Sequence, residues 1–247
     1  MKKKILLTVG ILFLLAGFVF LLFFVKDFKT SKPQELSITD VTVNKPRESL
    51  YEKEEYVSPV DFDKLEKQYP DIVAWIEVDG PEISYPVFCN SEDDSFYIDH
   101  DRNKNASKAG EIFIEHNYNN SDFTDPLTVI YGHNMKNETM FGPLQNYFSY
   151  SGNNDINGKI TVYTKKAEFH YEVFSATTFD NRHILFNYDF EDSYASKTFF
   201  EEVKNTRSLD TYFNEEVYNE CGDIIVLSTC NNNNRNNRFL VIAGEVK

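Results

Sequence analysis

Residues 224–230 read Ile-Ile-Val-Leu-Ser-Thr-Cys, and residues 238–243 read Arg-Phe-Leu-Val-Ile-Ala. Both runs are short, apolar and rich in β-branched residues, as is typical of buried strands. The asparagine-rich segment 231–237 between them predicts an irregular loop that joins the two strands as a hairpin. Such a hairpin would bring Arg238 back beside Cys230.

The rest of the sequence is also rich in short strand-like runs. Turn signals such as Asp79-Gly80-Pro81 separate several of them, and residues 168–173 alternate with the period of a half-buried strand. Many short strands with few helices favour a mostly β fold, a closed or nearly closed barrel with helical insertions. The other predicted strands are 72–78, 83–88, 111–114, 127–131, 159–163 and 168–177.

Three helices are predicted from start and stop signals and from periodicity. One follows Ser58-Pro59 and ends at Tyr69-Pro70, and a short one runs from about residue 143 to residue 148. The third covers residues 192–203, where the apolar positions fall on one face at helical spacing. None of these helices carries a recognisable nucleotide-binding loop.

The N-terminal part predicts a membrane anchor. Residues 5–25 carry no charge and are long enough to cross a hydrocarbon core of about 30 Å. The lysines in residues 1–4 place that end in the cytoplasm, which leaves the rest of the chain outside. A cleaved signal peptide is the rival interpretation, although no small-x-small cleavage site follows the apolar run. Residues 26–58 are then a polar spacer and residues 59–247 a folded catalytic domain.

The composition excludes one class of partner. The formal net charge is −14, whereas nucleic-acid binding requires concentrated positive charge. It also disfavours adhesion of the domain to anionic lipid. We interpret the acidity as a contribution to solubility.

The chain has three cysteines, an odd number for an extracellular domain. Cys89 and Cys221 would form a disulfide only if the fold brought them together. Cys230 stands where a buried strand meets a polar loop, a place from which a rigid scaffold presents a side chain to solvent. A buried cysteine that only fills core volume is the alternative.

A histidine occupies a similar position at the end of another strand. His133 lies just past the run 127–131, after Gly132, which we expect to relieve the local backbone. It could be the base that activates a thiol, or an exposed turn residue. Sequence spacing alone cannot pair it with Cys230. We interpret His170 as structural, and the other histidines, at 100, 116 and 183, have no cysteine signal nearby.

Two arginines compete for the role of a cation beside the thiol. Arg238 begins a strand that fixes the direction of its side chain, whereas Arg235 lies inside the loop.

A metal site is not expected, because the sequence patterns of zinc sites are absent. A run that starts at Asp99 has the spacing that opens a calcium loop, but it has Lys104 where the turn glycine belongs and Gly110 where the bidentate glutamate belongs. We expect no cofactor.

In this order, these features resemble the sortase family, and class B sortases in particular. The resemblance rests on Tyr-Gly-His-Asn-Met at 131–135, Leu-Ser-Thr-Cys at 227–230 and Arg238 at the start of the last strand. Three further features point to class B: Trp75-Ile76 with Tyr85-Pro86-Val87, Met140-Phe141-Gly142 after the histidine, and the helix around Phe199. The resemblance covers nearly the whole chain.

The resemblance implies a sortase-like eight-stranded β-barrel and a cysteine transpeptidase. Such an enzyme cleaves the sorting-signal peptide of a surface protein through an acyl-enzyme and transfers the protein to a cell-wall precursor amine. By motif, the catalytic residues are His133, Cys230 and Arg238. The resemblance also implies that Ser228 lies near the substrate threonine and oxyanion, and that Ile98, Leu185 and Phe186 form apolar walls of the peptide groove.

Two other classes of protein were weighed against this interpretation. A papain-like peptidase would have its cysteine near the mature N-terminus and its histidine downstream, the reverse of the order here. A catalytically silent, membrane-tethered binding module remains the other alternative. A variant with Cys230→Ala distinguishes it from an enzyme.

Overall fold

The computed structural model describes residues 36–37, 56–146, 158–206, 212–231, 234 and 236–246. The predicted cytoplasmic end (1–4), the predicted membrane helix (5–25) and most of the predicted spacer (26–58) lie outside these ranges. No helix within the described ranges is long and apolar enough to cross a bilayer.

The described residues form a closed barrel of eight strands. In barrel order the strands run β5-β1-β2-β3-β4-β8-β9-β6, and β6 pairs back with β5. A two-residue strand, β7, is added to β6 outside the ring. The bounds are β1 (Ile72–Val78), β2 (Ile83–Asn90), β3 (Ile112–Glu115), β4 (Leu127–Tyr131), β5 (Lys159–Tyr163), β6 (Glu168–Phe179), β7 (Tyr212–Phe213), β8 (Ile224–Cys230) and β9 (Arg238–Glu245).

The predicted mostly β fold and its eight-stranded barrel are therefore confirmed. Strand ends differ from the predictions by a few residues. At β9, for example, the predicted apolar run ended at Ala243, whereas the strand runs to Glu245. Extra backbone pairing with β6 and β8 explains the added length, because such pairing depends on the neighbours and not on the apolar run itself.

Two strand pairs in the barrel are parallel, β2 with β3 and β4 with β8. In the second pair Leu127 lies opposite Ile224 and Tyr131 lies opposite Ser228. The carboxyl ends of parallel strands meet at one edge of a sheet. The chain that leaves β4 and the chain that leaves β8 therefore start next to each other.

Alternate residues of β8 pack into different clusters. Ile225 and Leu227 belong to the cluster inside the barrel, whereas Val226 belongs to a cluster on its outer face. The outer cluster includes Phe199 and Phe200 of a helix, and burying each phenylalanine contributes roughly 1.5–3 kcal/mol. Both faces of the strand are thus covered, which explains its nearly continuous apolar sequence.

Four α-helices occur in the described part of the chain: α1 (Phe62–Gln68), α2 (Ile184–Asn187), α3 (Ser193–Asn205) and α4 (Glu215–Glu220). The predicted first and third helices correspond to α1 and α3, which begin after the capping carboxylates of Asp61 and Asp192. The predicted helix at 143–148 is instead a 3₁₀ turn at Gly142–Asn146. The sequence analysis missed α2 and α4, because each has six residues or fewer and too little periodicity to detect.

Candidate active site

The thiol of Cys230 lies at the edge where β4 and β8 end. Residues 225–229 of β8 are buried, and Cys230 is the first partly exposed residue after them. Because side chains alternate along a strand, Cys230 and Ser228 share the outer face of the barrel with Val226. Ser228 is buried. A rigid, buried strand thus delivers Cys230 to the surface.

Arg238 lies beside the thiol. It is the residue directly opposite Cys230 in the β8–β9 pair, and its Nη1 atom is 3.7 Å from Cys230 Sγ. At this distance the guanidinium donates a weak hydrogen bond to sulfur and places a fixed positive charge next to it. Arg235, the competitor in the sequence analysis, lies outside the described residues.

His133 approaches the same edge from β4. The N–H of Gly132 donates to the carbonyl of Ser228 at 3.2 Å, which continues the parallel ladder past Tyr131. Extended by one more residue, this register places His133 level with Cys230. The histidine ring makes a 2.6 Å hydrogen bond from Nε2 to the backbone oxygen of Ile98.

Two amide side chains hold the backbone carbonyl of Cys230. Asn134 Nδ2 donates to it at 2.7 Å, and Gln145 Nε2 donates to it at 3.3 Å. The first donor follows His133 directly, and the second lies in the 3₁₀ turn at Gly142–Asn146. These bonds connect the histidine segment to the cysteine strand. The sequence analysis missed both roles, since a donor to a backbone atom leaves no motif in the sequence.

Gly132 is required for packing and not for its backbone angle, which corrects the expectation from sequence. Its φ lies outside the left-handed region. A Cβ at this position would lie 2.4 Å from Ile112 Cδ1 and 2.7 Å from a ring carbon of Phe141. A Cβ would therefore fit here only if one of these two side chains shifted.

The four predicted substrate residues are distributed over two places. Ser228 and Ile98 lie at the Cys230 edge, and the Ile98 side chain is 45% exposed. Leu185 and Phe186 lie on α2, where they line a cavity of about 400 Å³ that Tyr118 and Tyr188 also line. Their part in substrate binding stays a prediction.

A partly buried carboxylate, that of Glu115, connects this edge with α2. The Tyr131 hydroxyl bonds to Glu115, and burial together with that negative charge raises the pKa of Tyr131, whereas the charge of Arg238 lowers it. Glu115 Oε1 and Oε2 lie 3.0 and 2.9 Å from His183 Nε2. His183 is the N-cap residue of α2, and its Nδ1 in turn accepts a hydrogen bond from the N–H of Phe186. The sequence analysis overlooked His183 because its partner is distant in the chain.

A model of the sortase domain family matches residues 76–246. The chain belongs to the sortase family. It is 32% identical over 181 residues to sortase B of Listeria monocytogenes, an alignment that covers 67% of this chain and 65% of that relative. It is 30% identical over 205 residues to sortase B of Staphylococcus aureus, with 78% of each chain covered.

The barrel also resembles a solved sortase. The structure of a Staphylococcus aureus sortase B–substrate complex superposes with a TM-score of 0.61 at 26% identity, over 78% of this chain and 87% of that one. These relatives are class B sortases, as predicted from Trp75-Ile76 with Tyr85-Pro86-Val87, Met140-Phe141-Gly142 after the histidine, and the helix around Phe199. The sortase family consists of cysteine transpeptidases that anchor surface proteins.

The two other cysteines of this sortase are unpaired and lie apart from the site. Cys89 Sγ is 3.9 Å from His116 Nδ1, so His116 does have a cysteine neighbour, contrary to the sequence analysis. Cys221 Sγ donates to the carbonyl of Tyr218. Burial raises the pKa of both thiols, which lowers their thiolate fraction and hence their reactivity. The disulfide between Cys89 and Cys221 that the sequence left open is not formed.

Proposed function

We propose that this chain is a membrane-anchored cysteine transpeptidase outside the cell. It cleaves the C-terminal sorting signal of surface proteins and transfers them to an amine of a cell-wall precursor. The observation that carries the proposal is the 3.7 Å approach of Arg238 Nη1 to Cys230 Sγ at the edge that His133 also reaches. A thiol beside a fixed cation and an imidazole is suited to acyl transfer.

In the first half-reaction, Cys230 Sγ attacks the threonyl carbonyl carbon of the sorting signal. His133 takes the thiol proton, and the negative oxygen of the tetrahedral intermediate is stabilised by Arg238. The peptide C–N bond then breaks, and His133 donates its proton to the leaving amine. The product is a thioester between the surface protein and Cys230.

In the second half-reaction, an amine of the cell-wall precursor attacks the thioester carbonyl carbon. His133 accepts a proton from that amine and returns it to the sulfur as the C–S bond breaks. An amide bond has replaced the thioester, and the free thiol is regenerated. Water would give hydrolysis at the same step, so the outcome depends on how well the site favours the amine.

The peptide is proposed to lie along the outer face of the barrel beside Ser228 and the exposed side chain of Ile98. Leu185 and Phe186 on α2 are proposed as the second wall of the groove. The solved substrate complex of the Staphylococcus aureus relative supports a peptide substrate for this chain as well. Resemblance to class B favours a sorting signal of the asparagine-proline type, and a more general Pro-x-Thr signal is the alternative.

The proposed location follows from the sequence. Residues 1–4 would be cytoplasmic, residues 5–25 would anchor the chain in the membrane and residues 26–58 would hold the catalytic domain away from the bilayer. The membrane is thus a proposed partner through the N-terminal helix alone. Protease digestion of intact cells tests this topology, which requires that the barrel be cleaved and that a tag on residues 1–4 be protected.

The function is tested with the purified full-length chain in detergent micelles. A library of fluorescent sorting-signal peptides is incubated with and without an amine such as triglycine or a diaminopimelate derivative. The expected result is cleavage of one signal class and formation of the peptide–amine conjugate, detected by mass spectrometry. Cleavage that persists in Cys230→Ala, or binding without cleavage in the native chain, would overturn the proposal.

A further inference from the structure

The ring of His133 has an unusual partner for a catalytic histidine. In Ser-His-Asp triads a carboxylate orients the imidazole. Here the Nε2 atom of His133 is 2.6 Å from the backbone oxygen of Ile98, thirty-five residues earlier in the chain. The group that orients His133 is therefore neutral and belongs to the backbone.

This contact decides which nitrogen of the ring carries a proton. A carbonyl oxygen only accepts hydrogen bonds, so Nε2 must be the donor and must carry a hydrogen. In the neutral ring Nδ1 then has the lone pair. Nδ1 is consequently the ring nitrogen whose lone pair can accept a proton.

The position of the Ile98 oxygen is fixed by the close approach of another part of the backbone. Ile98 ends the 3₁₀ turn at Phe96–Ile98, and Gly110 passes against this turn with φ +56. A Cβ on Gly110 would lie 2.3 Å from the oxygen of Tyr97 and 2.7 Å from that of Ile98. The next residue, Glu111, donates its N–H to the Tyr97 oxygen at 2.9 Å. A side chain at position 110 would push the Ile98 oxygen away.

A buried ion pair between Arg102 and Glu111 joins the two ends of the loop that leads from the 3₁₀ turn to Gly110. Arg102 and Glu111 are 4% and 3% exposed, and Arg102 Nε and Nη2 bond to the two carboxylate oxygens at 2.9 and 3.1 Å. The N–H of Arg102 donates to the same carboxylate. Arg102 Nη1 is buried without a hydrogen-bond partner among the described residues.

Such a pair is a poor source of stability, because removing both charges from water costs about as much as their attraction returns. Its geometry, however, holds the loop between Arg102 and Glu111 in one conformation. Both oxygens of the Glu111 carboxylate accept from the Arg102 guanidinium, and Oε1 also accepts from the Arg102 backbone N–H. The pair therefore fixes the segment that carries Ile98 more than it stabilises the fold.

We propose that Arg102, Glu111 and Gly110 are positioning residues of the reaction. They hold the Ile98 carbonyl against Nε2 of His133, so that Nδ1 is the atom that exchanges the proton with Cys230. This inference rests on the proposed function for its catalytic meaning. The tautomer itself is measurable without any turnover.

The first experiment reads the tautomer directly. The full-length Cys230→Ala variant, in which no thiol shares the proton, is labelled with ¹⁵N-histidine and studied at about pH 8, above the ordinary imidazole range. A His133→Gln version identifies the signal. The proposal expects a protonated Nε2 and an unprotonated Nδ1; a ring protonated at Nδ1 overturns it, whether or not the chain cleaves sorting signals.

The second experiment weakens the Ile98 carbonyl as a hydrogen-bond acceptor. Replacing the Ile98–Asp99 amide by an ester, in the native background with Cys230, makes the Ile98 oxygen a poorer acceptor. We expect kcat for peptide cleavage to fall about five- to tenfold while KM stays nearly constant. The matched control is an ester at the next bond, where the Asp99 oxygen accepts from Ser107 N at 2.7 Å and does not contact His133. An equal loss of kcat in the control would assign the effect to loop stability and overturn the proposal.

The third experiment addresses the ion pair. Glu111→Gln keeps the shape of the side chain and removes its charge, and Glu66→Gln, at an exposed pair with Lys165, is the control. We expect Glu111→Gln to lower kcat at least as much as the ester and to add an Nδ1-protonated His133 signal. A folded variant with unchanged kcat and tautomer refutes the role of the pair. If the variant does not fold, the role is tested by Arg102→Lys with the same two readouts.

Discussion

Arg238 lies directly opposite Cys230 across the β8–β9 pair, and its Nη1 atom is 3.7 Å from the sulfur. Because both residues belong to paired strands, the backbone register holds them opposite each other. The positive charge is thus present before a substrate arrives. Such preorganised charge stabilises a developing oxyanion more effectively than a group that must reorient.

The first prediction concerns this cation. Arg238→Ala should lower kcat/KM by about a hundred- to a thousandfold, because the oxyanion loses its charged donor. Arg238→Lys should recover only part of the loss, since an ammonium lacks the planar fork of donors. Initial rates of peptide cleavage measure both. Arg235→Ala is the side-by-side control, and a larger loss there than in Arg238→Ala would transfer the role to Arg235.

The second prediction concerns the nucleophile. Cys230→Ala should reduce cleavage by more than about a thousandfold, since no other group in the site can form the thioester. Cys221→Ser is the matched control, because that thiol is free but engaged with a backbone carbonyl. Mass spectrometry with a substrate peptide should detect an acyl adduct on Cys230 alone. An adduct on Cys221 would contradict the assignment.

A third prediction separates the two donors to the Cys230 carbonyl. Asn134→Ala should lower kcat about fivefold, because the 2.7 Å bond that holds the end of β8 is lost. Gln145→Ala should cost less, since its bond to the same oxygen is 3.3 Å long. Steady-state kinetics on both variants give the comparison, and the reverse order of effects would show that the distances do not reflect strength.

The fourth prediction concerns packing behind the histidine. Gly132→Ala should destabilise the barrel by roughly 1–3 kcal/mol, because its methyl group would overlap Ile112 and Phe141. For a domain of this size, that lowers the melting temperature by about 2–4 °C per kcal/mol. Gly222→Ala is the control, where the nearest contact is the flexible end of Glu245. Differential scanning calorimetry of the two variants should therefore show a shift in the first and little in the second.

The fifth prediction is a dependence of stability on pH through Asp71. Burial alone would raise the pKa of this carboxyl, but hydrogen bonds from Lys104, Tyr97 and Asn90 together hold the pKa below its ordinary value. A pKa lowered by folding means that the stabilisation is complete above about pH 4 and is lost as the pH falls through the folded value. Asp71→Asn should thus destabilise the protein most at neutral pH.

Urea unfolding at about pH 7 and about pH 2.5 measures this dependence. The difference in unfolding free energy between wild type and Asp71→Asn should shrink at the acidic pH, because the stabilisation by the carboxylate is lost as the pH falls towards its folded pKa. Asp79→Asn, at an exposed turn residue, is the comparison. A difference for Asp71→Asn that stays constant between the two pH values would show that the loss is one of packing and not of charge.

The local part of the site could be predicted from the sequence. Two apolar strands with a polar loop between them indicate a hairpin, and a hairpin places its first and last residues opposite each other. That reasoning reached Cys230 and Arg238, which the structure brings together. The barrel fold could also be predicted from the sequence, since many short strands with few helices favour a barrel.

The rest of the site depends on contacts between distant segments. His133 lies at the Cys230 edge only because β4 and β8 pair in parallel, and Asn134 is ninety-six residues from the carbonyl it binds. No spacing rule connects such positions, so only the family resemblance suggested the pairing. The hydrogen bond from His133 to the Ile98 oxygen could not be predicted for another reason. The acceptor is a backbone atom, and any residue type at position 98 carries one.

The place of β9 in the barrel has a consequence for folding. This strand follows all the others in chain order but lies between β8 and β6, so the ring closes only after it has been synthesised and inserted. Loop-closure entropy makes such late, long-range pairing slow. Until the β8–β9 hairpin forms, Cys230 has no Arg238 beside it. The thiol and its cation therefore come together only when the last two strands of the chain pair.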